Sequence, residues 1–193
     1  SQSFNFHPGP IFAHCILADE MNRATPKTQS ALLEAMEEQQ VTIEGAPRPL
    51  PSPFFVIATQ NPNNQGGTFA LPESQLDRFL MRIELGYPDP AAERQLLKGE
   101  DRRHVLARLQ PTLDVDRLSD LQYRCQQVNV TDALLDYVQR LVLYTRQAPE
   151  FAYGLSPRGA LALLACAKSW ALIEGRLYVV PEDVQAVLPS VVE

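Results

Sequence analysis

The stretch Cys15-Ile16-Leu17-Ala18-Asp19-Glu20 decides how this chain is read. With Ile11 to Ala13 just upstream, it forms a nearly unbroken apolar run that stops at two adjacent acids. A run of this kind predicts a strand buried on both faces, as at the centre of a parallel sheet. The carboxyl ends of such strands face the ligand crevice in open α/β sheets, which makes Asp19 and Glu20 candidates for chemistry. The plainer alternative is that the two acids only end a strand and begin a loop.

A second apolar run, Phe54 to Ala58, ends in Thr59, Gln60 and Asn61. If the two runs are parallel neighbours, Asp19, Glu20 and Asn61 meet at one edge of the sheet, where a carboxamide can hold a water or a phosphate oxygen. Read alone, Asn61-Pro62 is an ordinary turn initiator. Between the runs, Thr25-Pro26 offers a capping hydroxyl and a first-turn proline for a helix. Ala31, Leu32, Ala35 and Met36 supply its apolar face, with Glu34, Glu37 and Glu38 outward. Alternation from Gln40 to Glu44, a turn at Gly45-Ala46-Pro47 and a return over Arg48 to Leu50 predict a β-hairpin. Beyond a polar loop, Leu71 to Phe79 reads as helical, with Leu76, Phe79 and Leu80 inward and Arg78 outward. Met81 to Leu85 alternates and is expected to be the last strand of the sheet.

After Gly86 the patterns are only helical. Ala92 to Leu97 and Leu118 to Val128 form helices, and Thr131 caps one with Leu134, Leu135, Val138, Leu141 and Val142 on one face. Ser156-Pro157 opens a nearly wholly apolar helix through Ile173, and Tyr178 to Val184 leads into a last short one. The expected layout is the later part of an α/β domain, residues 1–88, followed by a small helical bundle, residues 89–193.

The 193 residues are 45% hydrophobic, enough for a core, and carry a formal net charge of −6. That acidity weighs against a free-standing nucleic-acid binder. Cys15, Cys125 and Cys166 are odd in number and lack CxxC spacing, so buried free thiols in a reducing compartment are expected. His7, His14 and His104 are too scattered for a cluster. With no long apolar stretch and no signal peptide, the sequence reads as soluble and cytoplasmic. It opens without Met, inside an alternating segment (Ser3 to His7), and stops just past a helix, which suggests a fragment.

Two carboxylates at one strand end, a polar residue at another, Arg78, and Arg158 in the first turn of a helix fit nucleotide hydrolysis. One acid can hold Mg²⁺ through its water shell and a second can orient or deprotonate the attacking water. Polar and cationic groups then meet the charge on the transferring phosphoryl group. Arg158 sits where free amides and the helix dipole already favour an anion. The plainer reading of both arginines is a salt bridge with a nearby acid.

Four linked segments carry a resemblance: Gly9 to Ala24 with Leu17-Ala18-Asp19-Glu20, Lys27 to Glu38, Ile57 to Pro62, and Leu71 to Phe79. Together they strongly resemble the MoxR family of AAA+ ATPases over essentially the whole chain. The resemblance implies a AAA+ P-loop NTPase core followed by a helical lid, with Cys15 to Glu20 as the Walker B strand. It implies that Asp19 serves Mg²⁺ and Glu20 the hydrolytic water, and that Asn61 is the sensor 1 residue. Arg78 would be the arginine finger aimed at the ATP of an adjacent subunit, and Arg158 the sensor 2 residue. Residues 41–50 resemble the hairpin before sensor 1, and Phe4 to His7 the end of an insertion in the preceding helix.

The resemblance further implies an ATPase that works as a homo-oligomeric, hexameric ring, with a chaperone-like role in maturing or activating other proteins. A partner with a von Willebrand factor A domain is also implied. One departure is large. No lysine among Lys27, Lys98 and Lys168 follows a glycine, so the Gly-x-x-x-x-Gly-Lys-Ser/Thr phosphate loop is absent from these residues. Truncation is the expected reason, and the chain by itself is expected neither to bind MgATP tightly nor to turn it over. The competing class is a non-hydrolysing adaptor of the same fold, which would have no need for Asp19, Glu20, Asn61 and Arg78 together. Nucleic-acid remodelling ranks last, since the hairpin sets a single Arg48 against Glu44.

Overall fold

The computed structural model describes residues 7–61, 67–99, 106 and 108–192. Ser3 to Phe6, His104 and most of the polar loop after Asn61 lie outside them. The chain divides into two compact units, one of residues 1–80 with Ser156–Arg158, the other of residues 81–155 with 159–193.

The first unit holds β1 (Cys15–Ala18), α1 (Pro26–Glu38), β2 (Gln40–Ile43), β3 (Ala46–Pro49), β4 (Phe55–Ala58) and α2 (Glu73–Leu76). The condition left open by the sequence is met: β1 and β4 pair in parallel, with Cys15 opposite Phe55 and Ala18 opposite Ala58. Burial on both faces is not found. Ile16, Ala18, Val56 and Ala58 are half-buried, while Leu17 is 66% and Phe55 56% exposed. The reason is that, among the described residues, this sheet has two strands and packs one face against a cluster of Met21, Leu33 and Leu71.

Helix α1 starts as expected, with Thr25 Oγ1 accepting from the Thr28 amide and Pro26 in the first turn. Its buried face is Gln29, Leu33 and Ala35, so Leu33 rather than the exposed Ala31 carries the packing. The hairpin is present, but its turn is Glu44-Gly45, both at positive φ, and β3 starts at Ala46. Two successive left-handed residues match the twist of paired strands, which is why Glu-Gly turns the chain here. The prolines Pro47 and Pro49 are tolerated because β3 is an edge strand. Helix α2 is a single turn, and Leu80 is exposed, not inward.

The second unit holds α3 (Pro90–Leu97), α4 (Val115–Gln126), α5 (Asp132–Gln147), α6 (Pro157–Ile173) and α7 (Pro181–Val187); the first residues of α6 count with the first unit. The expected strand at Met81 to Leu85 is not formed. Its backbone meets Ser190 through the Arg82 amide, and Ile83 and Leu85 are exposed. Alternation marks any extended segment; a strand also requires a neighbour to pair with. Leu134, Val138 and Val142 of α5 pack with Leu163, Cys166 and Ala167 of α6 and Val184 of α7. Leu135, expected on that face, is exposed. The thiols differ from expectation too: Cys15 is exposed, Cys125 half-buried and only Cys166 buried, its pKa raised by burial and by the neighbouring Cys125.

One charged group in this core controls local stability. Asp183 is 1% exposed, accepts the Val180 amide at 2.8 Å and takes a two-pronged contact from Arg176, one bond of it 2.6 Å long. The Arg176 contact, opposed by burial, holds its carboxyl below the usual carboxylate range. Because the folded pKa is depressed, this contribution is complete above the unfolded pKa of about 3.9 and is lost as pH falls through the folded value. Asp183→Ala is expected to lower stability by about 2 kcal/mol through the lost cap and hydrogen bonds. Chemical denaturation at neutral pH and again near pH 3 checks this, because the difference between wild type and variant should shrink in acid.

Candidate active site

The parallel register of β1 and β4 brings Asp19 and Glu20 against Thr59. The ladder runs one step past β4: the Thr59 amide donates to Ala18 O at 3.0 Å and the Met21 amide donates to Thr59 O at 2.9 Å. From that position the Thr59 hydroxyl donates to Asp19 Oδ1 at 2.6 Å and accepts from the Glu20 amide at 2.9 Å. One side chain therefore fixes the carboxylate of one acid and the backbone of the other.

Glu20 needs that restraint. Its φ of 49° is left-handed, which costs an ordinary residue roughly 1–2 kcal/mol. The turn is held from behind by Gln29, whose Nε2 donates to Met21 O and to Phe69 O, each at 3.1 Å. The Glu20 carboxylate accepts from Arg23 Nε at 2.8 Å. Asn61 joins the same edge through its backbone, since Asn22 Nδ2 donates to Asn61 O at 3.2 Å. Thus three of the residues read from the sequence are gathered at the carboxyl ends of neighbouring strands.

Arg78 and Arg158 are gathered elsewhere in the first unit, on Glu37. Arg78 Nη1 donates to Glu37 Oε2, and Arg158 Nη2 donates to Glu37 Oε1 at 2.6 Å. Asp77 accepts the Ser156 hydroxyl on both oxygens, at 2.7 and 2.9 Å. Arg158 lies in the first turn of α6, as expected. Among the described residues no hydrogen bond or ion pair joins either arginine to Asp19 or Glu20. The plainer reading of the arginines, an acid within the chain, is what the geometry contains.

Thr59, Gln29 and Glu37 were not singled out in the sequence as site residues. Thr59 had a signal, as the first polar residue after the second apolar run. Gln29 and Glu37 had none, because a helical Gln or Glu is by default a solvated residue.

Mg²⁺ keeps most of its waters and needs one or two carboxylates, so a closed cage is not required. Asp19 is exposed and anchored through one oxygen, and among the described residues no group of three or more His, Cys, Asp or Glu forms a cage. The donor set fits a hydrated ion.

Comparison with known proteins gives the class of the fold. Residues 1–81 match the model of the ATPase family associated with various cellular activities (AAA), and residues 143–193 match that of the AAA lid domain. The class is thus a AAA+ ATPase core with its lid: a parallel sheet with helices, then a helical region. The chaperone MoxR1 of Mycobacterium tuberculosis is 43% identical over 199 residues, covering 98% of this chain and 52% of that protein. The uncharacterized protein YeaC of Bacillus subtilis is 44% identical over 189 residues, covering 98% of this chain and 59% of that protein. A solved structure of a putative ATPase from Cytophaga hutchinsonii superposes with a TM-score of 0.86 at 38% identity, covering 96% of this chain and 59% of that one. The chain belongs to the MoxR family of AAA+ ATPases. It spans 52% to 61% of the length of these curated relatives. No helix among the described residues is long and apolar enough to cross a membrane.

The Thr59 hydroxyl can be removed without changing shape. In the full-length protein Thr59→Val is expected to lower MgATP turnover about tenfold, as expected for one positioning hydrogen bond, with Thr59→Ser close to wild type. Equal turnover in Thr59→Val and wild type would remove Thr59 from the site.

Proposed function

We propose that the full-length protein hydrolyses ATP and uses the energy as a MoxR-type chaperone or activator of other proteins. The observation that carries this is the parallel β1–β4 edge, where one threonine holds Asp19 and Glu20 together. On this reading Asp19 holds Mg²⁺ through water, and Glu20 orients and deprotonates the attacking water. Asn61 fixes that water or a phosphate oxygen. Arg78 and Arg158 meet the charge that develops on the transferring phosphoryl group. Bound Mg²⁺ supplies neutralisation of the phosphate oxygens.

The AAA+ core would run through residue 88, with 89–193 as the lid. Arg78 as a finger requires a neighbouring subunit, so the working form is a homo-oligomeric ring, a hexamer by family likeness. Family likeness also points to a partner with a von Willebrand factor A domain; the scattered free cysteines fit a cytoplasmic protein, and the net charge of −6 with a single Arg48 set against Glu44 in the hairpin weighs against a nucleic-acid substrate. The relative named chaperone MoxR1 supports the chaperone role.

The test is steady-state MgATP hydrolysis by the full-length protein, with its assembly state measured in the same buffer. Turnover by an assembled ring is expected. An assembled ring that binds MgATP and releases no phosphate would put the non-hydrolysing adaptor first.

A further inference from the structure

Glu37 is not used in the hydrolysis scheme above, yet it holds both arginines that are. Its two oxygens serve different guanidiniums, Oε2 that of Arg78 and Oε1 that of Arg158. A second carboxylate stands close by, with Asp77 Oδ2 at 3.9 Å from Arg158 Nη1. The group borders a cleft of about 250 Å³ whose wall includes Leu33, Met36 and Phe79.

Fold stabilisation is a poor account of this arrangement. The side chains of Glu37, Arg78 and Arg158 remain 41%, 33% and 45% exposed, and ion pairs so open to water add little to folding. Glu37 is also the penultimate residue of α1, at the end of the helix where the dipole disfavours a carboxylate unless cations sit on it. Two guanidiniums side by side repel each other. A shared carboxylate between them removes that repulsion and fixes their separation.

We propose that Glu37 is a positioning residue that couples Arg78 and Arg158 into one dicationic unit for the phosphates of a nucleotide. This rests on the hydrolysis reading and deepens it. Holding both guanidiniums in place before the phosphate arrives lowers the reorganisation needed at the reacting step. Each guanidinium commits one N–H to Glu37 out of the five it carries.

In the full-length protein Glu37→Gln is expected to lower kcat for MgATP about tenfold, the usual scale for one lost positioning contact. KM should stay unchanged or fall, because neutralising an acid beside two arginines increases the attraction for an anion. A residue needed only for folding would not separate the two constants in this direction. Placed on Arg78→Ala, Glu37→Gln should have less than about a twofold further effect, since the coupling is already gone. An unchanged kcat in Glu37→Gln, or a full tenfold loss on the Arg78→Ala background, would overturn the proposal. Absence of hydrolysis in the assembled wild type would instead sink the ATPase reading. Phenylglyoxal modification read by mass spectrometry then decides on the coupling: Arg78 and Arg158 should both react faster in Glu37→Gln, and unchanged rates would refute it.

Discussion

Glu20→Gln in the full-length protein is expected to reduce MgATP turnover by about 10² to 10⁴, the span usual for a general base, while leaving nucleotide binding intact. The substitution keeps the side-chain length and the backbone, so the left-handed turn at Glu20 and its amide bond to Thr59 should survive. What disappears is the carboxylate proposed to take the proton of the attacking water. Parallel measurement of phosphate release and of labelled ATP retained on the protein separates the two effects. Retained ATP without release supports the assignment. Wild-type turnover in Glu20→Gln would move the base elsewhere, and loss of binding would make Glu20 a structural residue.

Arg78→Ala is expected to have the other large effect, a loss of roughly 10³ to 10⁵ in turnover if it acts as an arginine finger. Within this chain the Arg78 guanidinium is engaged by Glu37 and has a one-third exposed side chain. That pair is worth only about 0–1 kcal/mol, so Arg78→Ala should leave the thermal midpoint nearly unchanged. A large fall in turnover with intact folding therefore points to chemistry. Mixing the variant with an excess of wild-type subunits adds a second readout. If the finger serves a neighbour, restored activity should follow the fraction of wild-type neighbours and not of wild-type active sites.

Much of the first unit was legible because its signals are local. Apolar runs ending in acidic or polar residues mark β1 and β4, Thr25-Pro26 marks the start of α1, and alternation from Gln40 to Glu44 marks the hairpin, although its turn falls at Glu44-Gly45 and not at Gly45-Ala46-Pro47. Fold class followed from the order of these periods, and the family followed from four linked motifs, both in agreement with the matches found. Exposure was less legible. The apolar pattern of Leu17, Phe55 and Ile57 states a preference for burial but does not say what covers them. Met81 to Leu85 failed for the same reason, since a strand is defined by a partner that its own residues do not name.

The sequence by itself determined the placement of Asp19, Glu20 and Asn61 at strand ends and of Arg158 in a first helical turn, because these depend on residues within one short segment. Only the tertiary structure decided that Thr59 ties Asp19 to Glu20, that Gln29 props their turn, and that Arg78 and Arg158 share Glu37. These partners lie between 8 and 121 residues apart along the chain. A hydrogen bond over such a separation leaves no periodicity, and only folding brings its two ends together.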